Sequence, residues 1–106
     1  MESREIVLKN EKGLHLRPAG KVCDLALRFQ SRTEMKVGTG VYNLKSMLSV
    51  LSAQVTDGTK MEIVCSGTDE REALTSICAL LEHLDENGHK ELAGAIIGKL
   101  EEMRMA

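Results

Sequence analysis

The chain has no tryptophan, one tyrosine, one phenylalanine and one proline in 106 residues. With Phe29 and Tyr42 as its only aromatic rings, it cannot build a stacking platform for single-stranded nucleic acid. It also lacks a basic run, and its formal net charge is -2, so the electrostatic footprint of a nucleic-acid binder is missing. No apolar stretch approaches membrane-spanning length, and residues 1–5 contain no apolar signal region, so membrane insertion and export are not expected. The three cysteines, Cys23, Cys65 and Cys78, are odd in number and too widely spaced for a metal-binding pair. Each falls on an apolar periodic face, which predicts buried free thiols in a reducing cytoplasm.

Hydrophobic residues make up 42% of the chain, enough for a real core, which must be aliphatic and rich in methionine. The length suits one domain and is short for two. Strand-like alternation marks residues 5–9, 33–37, 41–44 and 60–66. Helical spacing marks 16–29, a short segment 47–53, and a long segment capped at Thr68-Asp69 and ending at Asn87-Gly88. In the long segment, Asp69 and Glu72 have capping-box spacing. The order strand, helix, strand, strand, helix, strand, helix predicts an α+β domain over 1–88. The economical packing is a four-stranded antiparallel sheet with three helices on one face, an open-faced β-sandwich.

Beyond Gly88, Leu92, Ile96, Leu100 and Met103 recur at three- and four-residue spacing, which predicts a further amphipathic helix in an 89–106 extension. Gly94 and Gly98 each weaken that helix by about 1 kcal/mol relative to alanine, so it needs a packing partner. The candidates are the bare sheet face, where Val7 and Val64 should point, or a second subunit, which leaves the oligomeric state open.

The chemistry-bearing stretch is Gly13-Leu14-His15-Leu16-Arg17-Pro18-Ala19. Lys12-Gly13 reads as a turn, and Pro18 is tolerated in a first helical turn because amides there have no intrahelical carbonyl to bond. His15 therefore falls at the N-cap, beside unpaired amides and the positive end of the helix dipole. Arg17 brings a planar cationic fork suited to phosphate oxygens. Imidazole can carry a phosphoryl group near neutral pH, and this surrounding would stabilise it. A plain capping histidine explains the same residues, and taken alone they leave both readings open.

A second candidate is Ser46 in Asn43-Leu44-Lys45-Ser46-Met47-Leu48. A serine opening a short helix is ordinarily a cap. A phosphate there would also meet favourable helix amides, and would set about two negative charges beside Met47 and Leu48. Met47, Leu48, Val50 and Leu51 make that helix apolar almost all round, so part of it must be exposed or covered by a partner. His83 and His89 have no surrounding constellation and read as solvated or capping residues.

These two segments, at this separation and on this element order, resemble the HPr family, the histidine-containing phosphocarriers of the bacterial sugar phosphotransferase system. The resemblance extends over about residues 3–87, including Asp57-Gly58-Thr59 and Gly67-Thr68-Asp69-Glu70. It implies that His15 takes phosphate on Nδ1 from enzyme I and passes it to A-type domains of enzyme II, with Arg17 as the phosphate's charge partner. It implies that Ser46 is the target of an HPr kinase/phosphorylase, and that Leu16, Gly20, Met47, Leu48 and Leu51 form the docking patch. Such a protein is a covalently charged cytoplasmic carrier, needing no cofactor or metal, and not an enzyme. A regulatory relative, acting on transcription or permeases through its phosphorylation state, is the alternative.

Readings from other classes are a small-molecule-binding domain with His15 as a cap, and a hydrolase using His15; no second acid–base residue or metal cluster supports the latter. The chain departs from the family pattern at several places. Gln54 stands where glycine is usual, which predicts a rebuilt loop to Asp57. Leu16 is bulkier than usual, Gly20 smaller, and Lys12 adds positive charge. The extension beyond Gly88 has no counterpart in ordinary single-domain members.

Overall fold

A computed structural model of the protein describes residues 1–84. Four strands and three helices follow in the order β1 (Glu2–Val7), α1 (Leu16–Ala26), β2 (Arg32–Val37), β3 (Gly40–Asn43), α2 (Met47–Ser52), β4 (Lys60–Ser66) and α3 (Glu70–Glu82). The sheet order is β1-β4-β2-β3, and every neighbouring pair is antiparallel. β2 and β3 form a hairpin, turning at Gly38-Thr39, where Gly38 takes a φ of 58°. The α+β architecture is the one expected.

The core follows from strand alternation. Ile6, Met35, Met61, Ile63 and Cys65 point to one side of the sheet. There they join Ala19, Val22 and Ala26 of α1 and Ala73, Ile77, Cys78 and Leu81 of α3 in one buried cluster. Aliphatic, methionine and cysteine side chains fill the whole of it, as the scarcity of aromatics requires. The three thiols are free and buried. Burial pushes Cys65 and Cys78 up to about 11.

α1 and α3 run in opposite directions. Asp69, at the start of α3, accepts from the backbone N–H of Gln30 and of Ser31, both at 2.9 Å, just past the end of α1. The Ser31 hydroxyl also donates to this carboxylate. These hydrogen bonds, the Ser31 hydroxyl first, hold the Asp69 carboxyl below the usual carboxylate range. Asp69 is thus the N-cap by position only, and the expected box with Glu72 does not form. Its carboxylate serves a distant turn instead, and Glu70 accepts from the Gly67 N–H at 3.1 Å.

Several boundaries differ from expectation for physical reasons. β1 begins at Glu2 because a ladder bonds backbone and does not require apolar side chains. It stops at Val7 because Leu8 turns to pair with Gly58 and Thr59. α1 ends at Ala26, since Arg28 and Phe29 bond back only three residues in a tightened turn. Phe29 still packs against the core. α3 ends at Glu82 with His83 as C-cap, and Leu84 is buried behind it. The expected end at Asn87-Gly88, His89 and the helix of the 89–106 extension lie outside the described residues. Val7 is 40% exposed on the open face, as expected, but Val64 is only 5% exposed. Its strand is internal, so Ser3 and Glu34 flank it from both neighbours.

Candidate functional site

The His15 segment is held by backbone geometry that few residues could replace. Asn10 is buried, and its side-chain amide donates to the Gly13 carbonyl at 2.7 Å. The Gly13 N–H returns a bond to the Asn10 carbonyl at 2.8 Å. The Asn10 N–H donates to the Asp57 carboxylate at 3.0 Å, and the Leu14 N–H donates to the Val55 carbonyl at 2.9 Å. Gly13 has a φ of 71°, and a Cβ there would lie 2.5 Å from the Val55 oxygen. Only glycine fits both the left-handed backbone and that close approach. Leu14 then buries its side chain in the core, which turns the next residue outward.

That residue is His15, the N-cap of α1, in an extended conformation with φ -86° and ψ -168°. Its carbonyl accepts the first helical bond, from the Ala19 N–H at 2.9 Å. Its ring makes no capping hydrogen bond and is exposed. A histidine present only to cap would use its ring nitrogen on these amides. Here the N–H groups of Leu16 and Arg17 have no intrahelical carbonyl, and Pro18 has no N–H. The exposed Arg17 adds the one full charge of this turn. An exposed imidazole, two free-facing amides and a guanidinium at a helix N-terminus make an anion-binding arrangement with a nucleophile at its edge.

Ser46 occupies the equivalent position on α2 with different use of its side chain. Its hydroxyl accepts from the Ser49 N–H at 3.2 Å, and the residue is half-buried. The segment before it is pinned to α1: the Cys23 thiol donates to the Lys45 carbonyl at 3.2 Å, and the Lys45 ammonium donates to the Phe29 carbonyl at 2.8 Å. α1 and α2 therefore pack side by side.

The residues expected in the docking patch lie on these two neighbouring helices. Leu16 is 66% exposed and Leu48 81% exposed, while Gly20, Met47 and Leu51 are half-buried. A Cβ on Gly20 would meet the Met47 methyl at 3.7 Å, so the small residue lets Met47 lie against α1. Leu16 stands one turn before Gly20 on the same helix face. Val50 is fully buried, which anchors α2 and leaves Leu48 outward.

At Gln54, where the resemblance predicts a rebuilt loop to Asp57, the backbone takes a left-handed turn. Gln54 follows the α2 C-cap and keeps a left-handed φ of 51°, the conformation glycine adopts without strain. The loop path is held by its neighbours, since Val55 is buried and its carbonyl carries the Leu14 bond. Sequence reasoning missed Asn10 as the residue that shapes the His15 loop. The signal available was an asparagine three residues before a glycine, at the end of a strand. Among the described residues, no cluster of histidine, cysteine, aspartate or glutamate could hold a metal ion, and no helix is long and apolar enough to cross a membrane.

Comparison with known proteins agrees with this geometry. The family described as the PTS HPr component phosphorylation site matches residues 2–83. The chain is 38% identical over 80 residues to phosphocarrier protein NPr of Proteus mirabilis, covering 74% of this chain and 89% of that protein. It is 35% identical over 83 residues to phosphocarrier protein HPr of Mycoplasma pneumoniae, covering 77% and 94% respectively. The crystal structure of HPr-C-His from Thermoanaerobacter tengcongensis superposes with a TM-score of 0.76 at 31% identity, over 78% of this chain and 93% of that one. With its fold, its exposed histidine at a helix start and these matches in agreement, the chain belongs to the HPr family of phosphocarrier proteins of the phosphotransferase system.

Proposed function

We propose that His15 is the phosphoryl carrier, receiving the group from enzyme I and delivering it to A-type domains of enzyme II in the cytoplasm. The Nδ1 lone pair attacks the donor's phosphorus, the bond from phosphorus to the donor breaks, and its electron pair returns to the donor. Nε2 keeps its proton, and the same exchange in the other direction discharges the carrier to the next acceptor. Arg17 and the Leu16 and Arg17 amides hold the phosphoryl oxygens. The observation that carries this reading is that the His15 ring leaves the helix amides uncapped and stands exposed. Leu16, Gly20, Met47, Leu48 and Leu51 form the surface on which both partners dock. Ser46 is a regulatory phosphorylation site for an HPr kinase/phosphorylase, whose product places negative charge inside that surface and weakens docking of acidic partners.

The test is incubation with phosphoenolpyruvate and enzyme I. An acid-labile, base-stable phosphate should appear and vanish in His15→Ala; its persistence there, or absence from the wild type, refutes the reading. Arg17→Ala should slow charging by about 10- to 100-fold, the effect of losing one charge-assisted hydrogen-bonding partner.

A further inference from the structure

Among the described residues, Gln54 is the one non-glycine residue with a left-handed backbone, at φ 51°. A side chain costs stability in that conformation, because its Cβ crowds the following carbonyl oxygen. Such strain persists only where the surroundings hold it, and it clusters at functional sites. The surroundings here are Leu51, whose carbonyl accepts from the Gln54 N–H at 3.2 Å, and the buried Val55, whose carbonyl accepts from the Leu14 N–H at 2.9 Å. They account for the path of the backbone. They do not account for a glutamine on it.

The other polar side chains from Ser52 to Thr59 are used inside the domain. The Ser52 hydroxyl donates to the Ser49 carbonyl at 2.7 Å, and the Thr56 and Thr59 hydroxyls pair at 3.1 Å. Asp57 accepts from the Asn10 N–H at 3.0 Å. Gln54 is exposed, and its carboxamide makes no hydrogen bond among the described residues. A side chain able both to donate and to accept is thus held outward on a backbone that disfavours it, with nothing inside the described domain to compensate.

Its place is beside the phosphoryl site. A Cβ on Gly13 would lie 2.5 Å from the Val55 oxygen and 3.1 Å from the Thr56 Cα, and the next residue, Leu14, bonds to Val55. The chain from Gly13 to His15 therefore runs against the chain from Gln54 to Thr56, which sets Gln54 at the His15 end. Gln54 also follows α2 directly, one turn after Leu51, so it stands between His15 and the Leu48–Leu51 end of the patch. Resting on the docking reading above, we propose that Gln54 determines which phosphoryl donor docks at His15, by pairing its carboxamide with a peptide or carboxamide group of the donor protein. The group follows from the chemistry: an N–H donor beside an oxygen acceptor matches the same pair reversed, which a peptide unit or another carboxamide presents. A donor protein with an apolar group there would bury the carboxamide unpaired and lose affinity.

The test is calorimetric titration of the full chain with enzyme I of the same organism, without phosphoenolpyruvate. Gln54→Gly relieves the backbone, and Gln54→Met keeps the side-chain length without its hydrogen-bonding groups. Both should bind about 5- to 30-fold more weakly, the effect of leaving the donor's polar group unpaired. In charging assays the same loss should fall on KM and leave kcat unchanged. An enzyme I whose own carrier has glycine at this position should reverse the order and prefer Gln54→Gly. Undiminished binding by Gln54→Gly, weakening by Gln54→Met alone, or the same order with both enzymes overturns the proposal. Urea denaturation separates lost binding from lost fold: Gln54→Gly should be the more stable protein, and a less stable one reveals an internal contact and also overturns the proposal. Absence of phosphate on His15 refutes the carrier reading alone, because the titration needs no phosphoryl transfer.

Discussion

Two neighbouring helices of this protein, α1 and α2, treat the amides at their starts in opposite ways. At α2, Ser46 bends its hydroxyl back onto the Ser49 N–H and closes the helix with its own side chain. At α1, His15 holds the same backbone position, but its ring stays outward and caps none of the helix amides. The difference is one of reach and strain. A serine oxygen sits one bond from Cβ and meets the amide naturally. The His15 backbone is fixed by Asn10, Gly13 and Val55, which hold the residue at an exposed corner. A self-capped start is stable without a ligand. An uncapped one keeps its donors for an anion that comes and goes.

Breaking the scaffold under His15 should have the largest effect on stability. Asn10→Ala removes a buried donor from the Gly13 carbonyl and should cost about 2 kcal/mol in urea denaturation. Charging of His15 should slow with it, because the loop that aims the ring loses its brace. An unchanged denaturation midpoint would show that Gly13 and Val55 suffice. The self-capped helix should be less sensitive: Ser46→Ala removes the bond to Ser49 and should cost about 1 kcal/mol. It should also abolish any acid-stable phosphate added by ATP and an HPr kinase, which mass spectrometry would reveal.

At the other end of α2, Gln54→Gly should stabilise the fold by about 0.5–1 kcal/mol, by relieving a left-handed glutamine at φ 51°. A loss of stability on that change would mean that the Gln54 side chain makes a compensating contact. The smallest effect concerns the third helix start, where Asp69 caps a neighbouring turn. Its carboxyl is held below the ordinary value by Ser31 and Gln30, so its contribution is present at neutral pH and above the unfolded-state value. That contribution fades as acid takes pH down through the lowered folded value. Asp69→Asn should flatten this acid-side dependence in a series of denaturation curves below pH 5, and an unaltered slope would place the dependence elsewhere.

Much of the architecture was legible because periodicity reports burial directly. Met61, Ile63 and Cys65 alternate on β4, and Ala73, Ile77 and Leu81 recur along α3, and all six are core residues. The limits of β1 were less legible, since Glu2 to Glu5 join the sheet through backbone bonds that leave no mark in side-chain pattern. Val64 takes the open face that alternation assigns it, but alternation does not tell that the flanking strands cover it. Gln54 makes a complementary point. A side chain there argued for a different path, yet the buried Val55 and its bond to Leu14 hold the loop to a glycine-like turn.

The sequence by itself determined the class of the core, the element order and the place of His15 at a helix start. Those depend on composition, period and local backbone preference, which neighbouring residues settle among themselves. Only the tertiary structure decided that the His15 ring leaves the amides uncapped, that Gly20 admits Met47 beside it, and that Asp69 serves the end of α1. Each of those facts depends on groups brought together from distant parts of the chain, through contacts that no local pattern encodes.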